Sequence, residues 1–197
     1  TKTLFERISL DRKTEPYRKA LEISRLLLLN YHPDVRKGDD NVLALMFDMN
    51  ALWEQFVYVS IRKFKDKETT IAAQSIKNFW KPNTGHRSRI RPDIVLNKGT
   101  EKCVVLDTKW KNLNGHNPVH EDLRQMFVYM KYFGAKKVAL VYPGIDCSYR
   151  TGKYYEYDTY NPNELSENEC GVISIGVDVN VKRWQMMISD SINKLLE

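Results

Sequence analysis

Arg91-Pro92-Asp93-Ile94-Val95-Leu96, then Asn97-Lys98-Gly99-Thr100, then Lys102-Cys103-Val104-Val105-Leu106-Asp107-Thr108-Lys109-Trp110 is the stretch on which the fold turns. Two apolar, β-branched runs flank a polar segment containing glycine, so Ser88 to Leu96 and Lys102 to Trp110 read as an antiparallel hairpin. Side chains two apart on a strand share a face. Asp107 and Lys109 therefore point one way, and Val104, Leu106 and Thr108 the other, toward a core. By the same alternation Arg89 and Arg91 are expected on the face of Asp93.

Outward from the hairpin, the elements alternate. Upstream, Thr14 to Asn30 reads as a helix, with Thr14 as cap, Pro16 in the first turn, and Leu21, Leu26, Leu28 and Leu29 as apolar surface. A second helix is expected from about Asn41 to Phe64, where Leu45, Met49, Leu52 and Phe56 recur at helical spacing, joined by Met46, Trp53 and Val57. Thr69 to Ile76 reads as a strand. Downstream, Val119 to Phe133 reads as a helix with Leu123, Met126, Phe127 and Met130 on one face and Gly134 as its stop. Lys137 to Val141 is a strand ended by Pro143-Gly144, Lys153 to Thr159 and Gly171 to Val177 are weaker strand candidates, and Arg183 to Leu196 is a closing helix. This order predicts an α/β fold, a mixed β-sheet flanked by α-helices. Residues 1–40 are expected to be an N-terminal helical extension and 41–197 the main domain. The chain begins at Thr1, which suggests the C-terminal part of a longer protein.

The 197 residues are 42% hydrophobic and 28% charged, ordinary for a soluble globular protein, and no apolar run is long enough to span a bilayer. The charged N-terminal residues do not read as a signal peptide. Cys103, Cys147 and Cys170 are widely spaced and odd in number, with no C-x-x-C pair, which fits a reducing cytoplasm and no structural zinc. A net charge of +6 is compatible with a polyanionic partner. There is no G-x-S-x-G, no cysteine with an evident histidine partner and no Gly-rich phosphate loop, so neither a serine or cysteine hydrolase nor a nucleotide-driven motor is expected.

The pairing of Asp93 with Asp107 and Lys109 is what carries chemistry. Charges at the end of an apolar strand also occur at exposed strand ends, but a second aspartate on the neighbouring strand points further. Two adjacent carboxylates make a hard-oxygen site suited to Mg²⁺, with Mn²⁺ as a substitute. A lysine beside them can orient water and offset developing charge, acting as a base only if its pKa is strongly lowered.

Pro92-Asp93 followed by Asp107-Thr108-Lys109 resembles the PD-(D/E)xK nuclease motif, which implies a restriction-endonuclease-like core. Gln125-x-x-x-Tyr129 resembles the helix motif of the RecB-like branch, where these residues support the site and contact substrate backbone. Phe47 to Val57, Arg91-Pro92-Asp93-Ile94 and Leu106-Asp107-Thr108-Lys109-Trp110-Lys111 are similar to the McrC family, over roughly Leu43 to Val141. The resemblance implies a Mg²⁺-dependent DNA endonuclease, the nuclease subunit of a modification-dependent restriction system that serves in antiviral defence. It implies metal ligation by Asp93, Asp107, Glu54 and the carbonyl of Thr108, and catalysis by Lys109 with Gln125 and Tyr129 in support. Glu54 reads equally well as a solvated surface residue. The implied partners are DNA, an McrB-like AAA+ GTPase ring engaged through a region not visible here, and a second nuclease domain in a dimer. A RecB-like exonuclease, a junction resolvase and a non-cleaving DNA-binding module are the competing readings.

Lys81, Arg87, Arg89 and Arg91 precede Asp93 in a segment without acidic residues. They read either as phosphate contacts on a flexible loop or as a solvated surface. Trp110 and Lys111 follow the catalytic strand and line the same cleft, unless Trp110 is core. His116 and His120 flank Pro118 and are not read as a metal pair. No role is assigned to the segment after Gly144.

Overall fold

Alternation of apolar side chains places two hydrophobic layers on either side of one sheet. The computed structural model describes residues 10, 14–28, 48–113, 115–156 and 158–196. The chain divides into two compact units, Thr1–Met46 and Phe47–Glu197.

In the first unit a 3₁₀ turn, Glu15–Tyr17, leads into helix α1, Arg18–Leu28. The predicted helix is present, but Thr14 makes no side-chain cap bond. An ion pair of Arg18 with Glu15, 2.7 Å apart, spans the turn instead. Residues 29 and 30 lie outside the described residues.

The second unit holds helices α2 (Met49–Phe64), α3 (His120–Phe133) and α4 (Val181–Leu196). Its strands are β1 (Ile71–Ala73), β2 (Lys77–Trp80), β3 (Ser88–Ile90), β4 (Ile94–Leu96), β5 (Val104–Thr108), β6 (Lys137–Gly144), β7 (Ser148–Tyr155) and β8 (Leu165–Gly176). Six of them form a mixed sheet in the order β1-β4-β5-β6-β8-β7, and β2 and β3 form a separate two-stranded sheet. The β4–β5 hairpin is antiparallel, with Ile94 opposite Leu106 and Leu96 opposite Val104. From β5 the chain crosses through α3 to β6, which lies parallel to β5 and to β8. This is the α/β fold with a restriction-endonuclease-like core expected from the sequence.

Successive residues of the central strands serve opposite layers. Ile94, Leu96, Val104, Leu106, Ala139 and Val141 pack with Trp53, Val57 and Ile61 of α2 and Ile188, Ile192 and Leu195 of α4. Val95, Val105, Val138 and Leu140 pack with Met126, Tyr129, Met130 and Phe133 of α3. Burying each such aliphatic side chain contributes roughly 1.5–3 kcal/mol before the entropy of ordering it. The predicted stop of α3 holds: Gly134 adopts φ 66°, and its N–H donates to the Met130 carbonyl.

Several expectations are corrected. Helix α2 starts at Met49, where Asp48 caps it by accepting from the N–H groups of Asn50 and Ala51 at 3.0 and 3.1 Å; residues 41–47, including Leu45 and Met46, lie outside the described residues. Its buried stripe is Trp53, Val57, Ser60 and Ile61, while Leu52 is 52% exposed. The large aromatic at 53 sets the face that turns inward, because it has the most apolar area to bury.

Ser88 to Leu96 is not one strand. β3 ends at Ile90 and β4 begins at Ile94, in different sheets, with Arg91-Pro92-Asp93 between them. Pro92 has no N–H to give a ladder, and a break there lets β3 leave the main sheet. Arg89 and Arg91 therefore do not share a strand face with Asp93. The expected strand Thr69 to Ile76 is only Ile71–Ala73, ended by Gln74 at φ 47°, and β2 follows where no element was expected.

Strand β6 runs through Pro143 to Gly144. The Val141 carbonyl faces β5 and accepts from the Lys109 N–H at 3.0 Å. Pro143, two residues on, faces the same side beyond the end of β5, where no partner strand requires an N–H. The hairpin β7–β8 is longer than the two weak candidates. β7 is an exposed edge strand carrying Arg150 and Lys153, so it has no apolar alternation to read. Helix α4 begins two residues earlier than expected. Among the described residues no helix is long and apolar enough to cross a membrane.

Candidate active site

Strand β5 is buried along its whole length, yet it ends in Asp107, Thr108 and then Lys109. Continuing the β4–β5 register by one pair sets Asp93 opposite Asp107. Asp93 is held there: its Oδ2 accepts from the Thr108 N–H at 2.6 Å and from the Thr108 hydroxyl at 2.8 Å. Neither bond uses Oδ1. Its carbonyl accepts from the Gln74 N–H at 2.8 Å, which extends the β1–β4 pairing past the strand end. Thr108, expected to offer its carbonyl, thus gives its N–H and hydroxyl to fix Asp93.

Asp107 is 2% exposed. Lys109 Nζ lies 2.7 Å from Asp107 Oδ2. The contact is an ion pair outside hydrogen-bonding angles, so this buried oxygen has no aligned donor. Burial, and then the negative charge of Asp93, push the Asp107 carboxyl up to about 6, against the opposing pull of Lys109. Lys109 itself is shifted upward: burial would lower its pKa, but Asp107, Asp122 and Asp93 together outweigh burial. It is an ammonium at neutral pH, and the condition under which it could act as a base is not met.

Helix α3 supplies the next layer. Lys109 Nζ donates to Gln125 Oε1 at 3.0 Å, Gln125 Nε2 donates to the Tyr129 hydroxyl at 2.7 Å, and that hydroxyl donates to the Arg91 carbonyl at 3.3 Å. Burial and the nearby Asp107 push the Tyr129 phenol up to about 12, so it stays protonated. The chain of bonds runs from the end of β5, along one face of α3, to the linker that carries Asp93.

Asp122, one turn before Gln125, was not singled out from the sequence. It is 8% exposed, lies 3.9 Å from Lys109 Nζ, and accepts from Lys111 Nζ at 2.6 Å and from the Tyr142 hydroxyl at 3.3 Å. The legible signal was spacing: Asp122, Gln125 and Tyr129 fall at i, i+3 and i+7 on one helical face. Lys111 is thus the ion-pair partner of Asp122.

Glu54, on α2, stands on the side of Asp93 rather than of Asp107. Its Oε1 accepts from Gln74 Nε2 at 2.8 Å, and burial raises its pKa, with Asp93 adding to the rise. Among the described residues no three His, Cys, Asp or Glu side chains converge as a metal cluster. Trp110 packs its ring 5.7 Å from that of Trp53, and its backbone N–H donates to Asn50 Oδ1 at 3.2 Å. Lys81 and Arg87 lie at the tip of the β2–β3 hairpin, Arg89 on β3 and Arg91 on the linker, all exposed.

A family model, McrBC 5-methylcytosine restriction system component, matches residues 1–143, a span that takes in every one of these site residues. The chain belongs to this family. The McrBC match agrees with the McrC likeness of its motif strings, and it makes the chain a component of a restriction system. In fold, the McrBC chain is similar to a chain of the refined half-complex from the tetradecameric assembly of Thermococcus gammatolerans McrB AAA+ hexamers with bound McrC. That likeness has a TM-score of 0.50 and 21% identity, and covers 96% of this chain and 41% of that one. A crystal structure of SSO0001 is matched at a TM-score of 0.35 and 16% identity, over 91% of this chain and 69% of that one. No curated protein matches by sequence. The chain thus spans less than half the length of the Thermococcus gammatolerans chain.

Proposed function

We propose that this chain is the nuclease part of its restriction system, a Mg²⁺-dependent DNA endonuclease whose centre is Asp93, Asp107 and Lys109. The observation that carries the reading is Asp107: a buried carboxylate whose Oδ2 has no aligned donor and whose charge is disfavoured by Asp93. Such an oxygen suits a hard divalent cation, which relieves the repulsion between the two carboxylates. Asp93 through Oδ1, and Asp107, would hold Mg²⁺ or Mn²⁺, with the Thr108 carbonyl beside them. Glu54 would join through the solvent layer or not at all, since Gln74 occupies one of its oxygens. When bound, the cation supplies charge neutralisation at the scissile phosphate and acidifies water.

The chain's own groups do the rest. Lys109, kept charged by its carboxylate neighbours, orients the attacking water and offsets negative charge that develops on the phosphate. Gln125 holds Lys109 in place, and Tyr129 holds Gln125. Arg87, Arg89 and Arg91, with Lys81, offer exposed cations to phosphates on the approach to Asp93. An McrB-like AAA+ GTPase ring would deliver the modified DNA, and pairing of two nuclease domains would give a double-strand break.

The test is cleavage of methylated and unmethylated plasmid, with a GTPase ring of the same system, GTP and Mg²⁺. Asp107→Ala and Lys109→Ala are each expected to lower cleavage by roughly 100-fold or more, with unchanged circular dichroism. A purified double variant that cuts like the parent would overturn the assignment.

A further inference from the structure

The β2–β3 hairpin stands as its own small sheet beside the main one. From Lys77 to Pro92 it carries Lys77, Lys81, Arg87, Arg89 and Arg91 and no Asp or Glu. Its base is tied to α3, the helix of Gln125 and Tyr129. Lys77 Nζ donates to the Tyr132 carbonyl, the Tyr132 hydroxyl donates to the Phe79 carbonyl at 3.4 Å, and the Phe79 and Tyr132 rings lie 5.5 Å apart. At its other end β3 leads through Arg91 and Pro92 into Asp93. The arm is therefore tied to α3 through β2 and leads into Asp93 through β3.

A bulge between Asn78 and Trp80 sets two consecutive aromatic residues, Phe79 and Trp80, opposite the single Ser88. Phe79 is used at the base. Trp80 is 61% exposed, and among the described residues its ring meets no other ring. Nothing in the packing of the arm requires a tryptophan there. A large exposed indole in a stretch that carries five cations and no Asp or Glu is complementary to nucleic acid: the cations track phosphates and the ring takes a base. A paired, stacked base has no free face, so the indole can be used only where the duplex is opened or unstacked.

We propose that Trp80 stacks on an unpaired base of DNA lying along the arm, so that the arm favours locally opened DNA over uniform duplex. This rests on the nuclease reading for the identity of the substrate, but binding without metal tests it separately. The probes are a fluorescein-labelled, fully paired duplex and the same duplex with a short central thymine bubble, titrated with the whole chain in EDTA at several salt concentrations.

The parent should prefer the bubble. Trp80→Ala should weaken bubble binding roughly 5- to 100-fold, leave the paired duplex little changed, and keep the salt slope. Trp80→Phe should retain most of the preference. Lys81→Ala with Arg87→Ala should instead make the salt slope shallower by about 0.9 for each phosphate no longer neutralised, on both probes. Equal affinity of the parent for the two probes, or an equal loss on both for Trp80→Ala, overturns the inference. A parent that cleaves plasmid with its ring yet shows no bubble preference would leave the nuclease reading standing and remove this one. A Trp80-dependent preference without cleavage would do the reverse.

Discussion

Lys109 Nζ and Gln125 Oε1 are joined at 3.0 Å, and this bond ties the end of β5 to the second turn of α3. The ammonium also faces Asp107 at 2.7 Å, so Gln125 is the neutral group that fixes its direction. Removing it frees a charged group, and hydrogen bonds to charged groups are worth about 1.5–3 kcal/mol. Gln125→Ala is expected to lower the single-turnover rate about tenfold or more with little change in the substrate concentration at half-saturation. Tyr129→Phe should act in the same direction more weakly. Rates equal to the parent in both variants would show that Lys109 needs no such support.

The raised Asp107 pKa has a signed consequence. Its carboxyl goes from 3.8 in the unfolded chain to about 6 in the fold. Between these values the folded protein keeps a proton the unfolded chain has lost, so this group's contribution to stability falls as pH rises through that window. Above about 6 the fold carries an unfavourable charge that a bound cation would relieve. Mg²⁺ should therefore raise the melting temperature clearly at pH 7.5 and scarcely at pH 5, and cleavage should decline below about pH 6. Differential scanning fluorimetry with and without Mg²⁺ measures the first part; an equal shift at both pH values would contradict it.

Asp122 holds Lys111 at 2.6 Å and stands 3.9 Å from Lys109. Asp122→Asn keeps the shape and removes the charge. Because Lys111 can swing to solvent, the expected loss is only about 1–2 kcal/mol by urea unfolding. A loss several times larger would mean that Lys111 is trapped against the core.

Trp53 links the layers, with Nε1 donating to the buried Val141 carbonyl at 3.1 Å. That carbonyl also accepts from the Lys109 N–H, so Trp53→Phe leaves it a partner and should cost about 1–2 kcal/mol. Trp53→Ala opens the aromatic group of Phe56, Trp110 and Trp184 and should cost about 3–5 kcal/mol. Urea denaturation of both variants checks the ordering; equal losses would make the hydrogen bond the whole effect.

The hairpin of β4 and β5, the helix α3 with its glycine stop, and the strand β6 were legible because each has a strong period and a clear terminator. On α2 the expected apolar set was too wide: Trp53, Val57 and Phe56 pack inward but Leu52 is exposed, because spacing cannot say where the buried stripe ends. The strand β2 was not legible, and β3 merged with β4 into one expected strand, because the arm's strands bury little on either side and leave no apolar alternation. Asp122 went unread because a lone aspartate at a helix start looks like any other residue of a first turn.

Residue order alone determined that Asp93 and Asp107 meet. A short hairpin has one register that keeps its apolar side chains inside, and that register pairs the two positions beyond its end. What only the folded chain decided is how the groups around those carboxylates are joined: Gln125 and Tyr129 were expected from their helix motif, but their bonds to Lys109 and to the Arg91 carbonyl, and the places of Asp122 and Gln74, were not. Gln125, Tyr129 and Asp122 come from a helix across the sheet layer, and Glu54 is turned toward Gln74. Contacts between elements far apart in sequence depend on how whole layers settle against one another, and no local pattern encodes that.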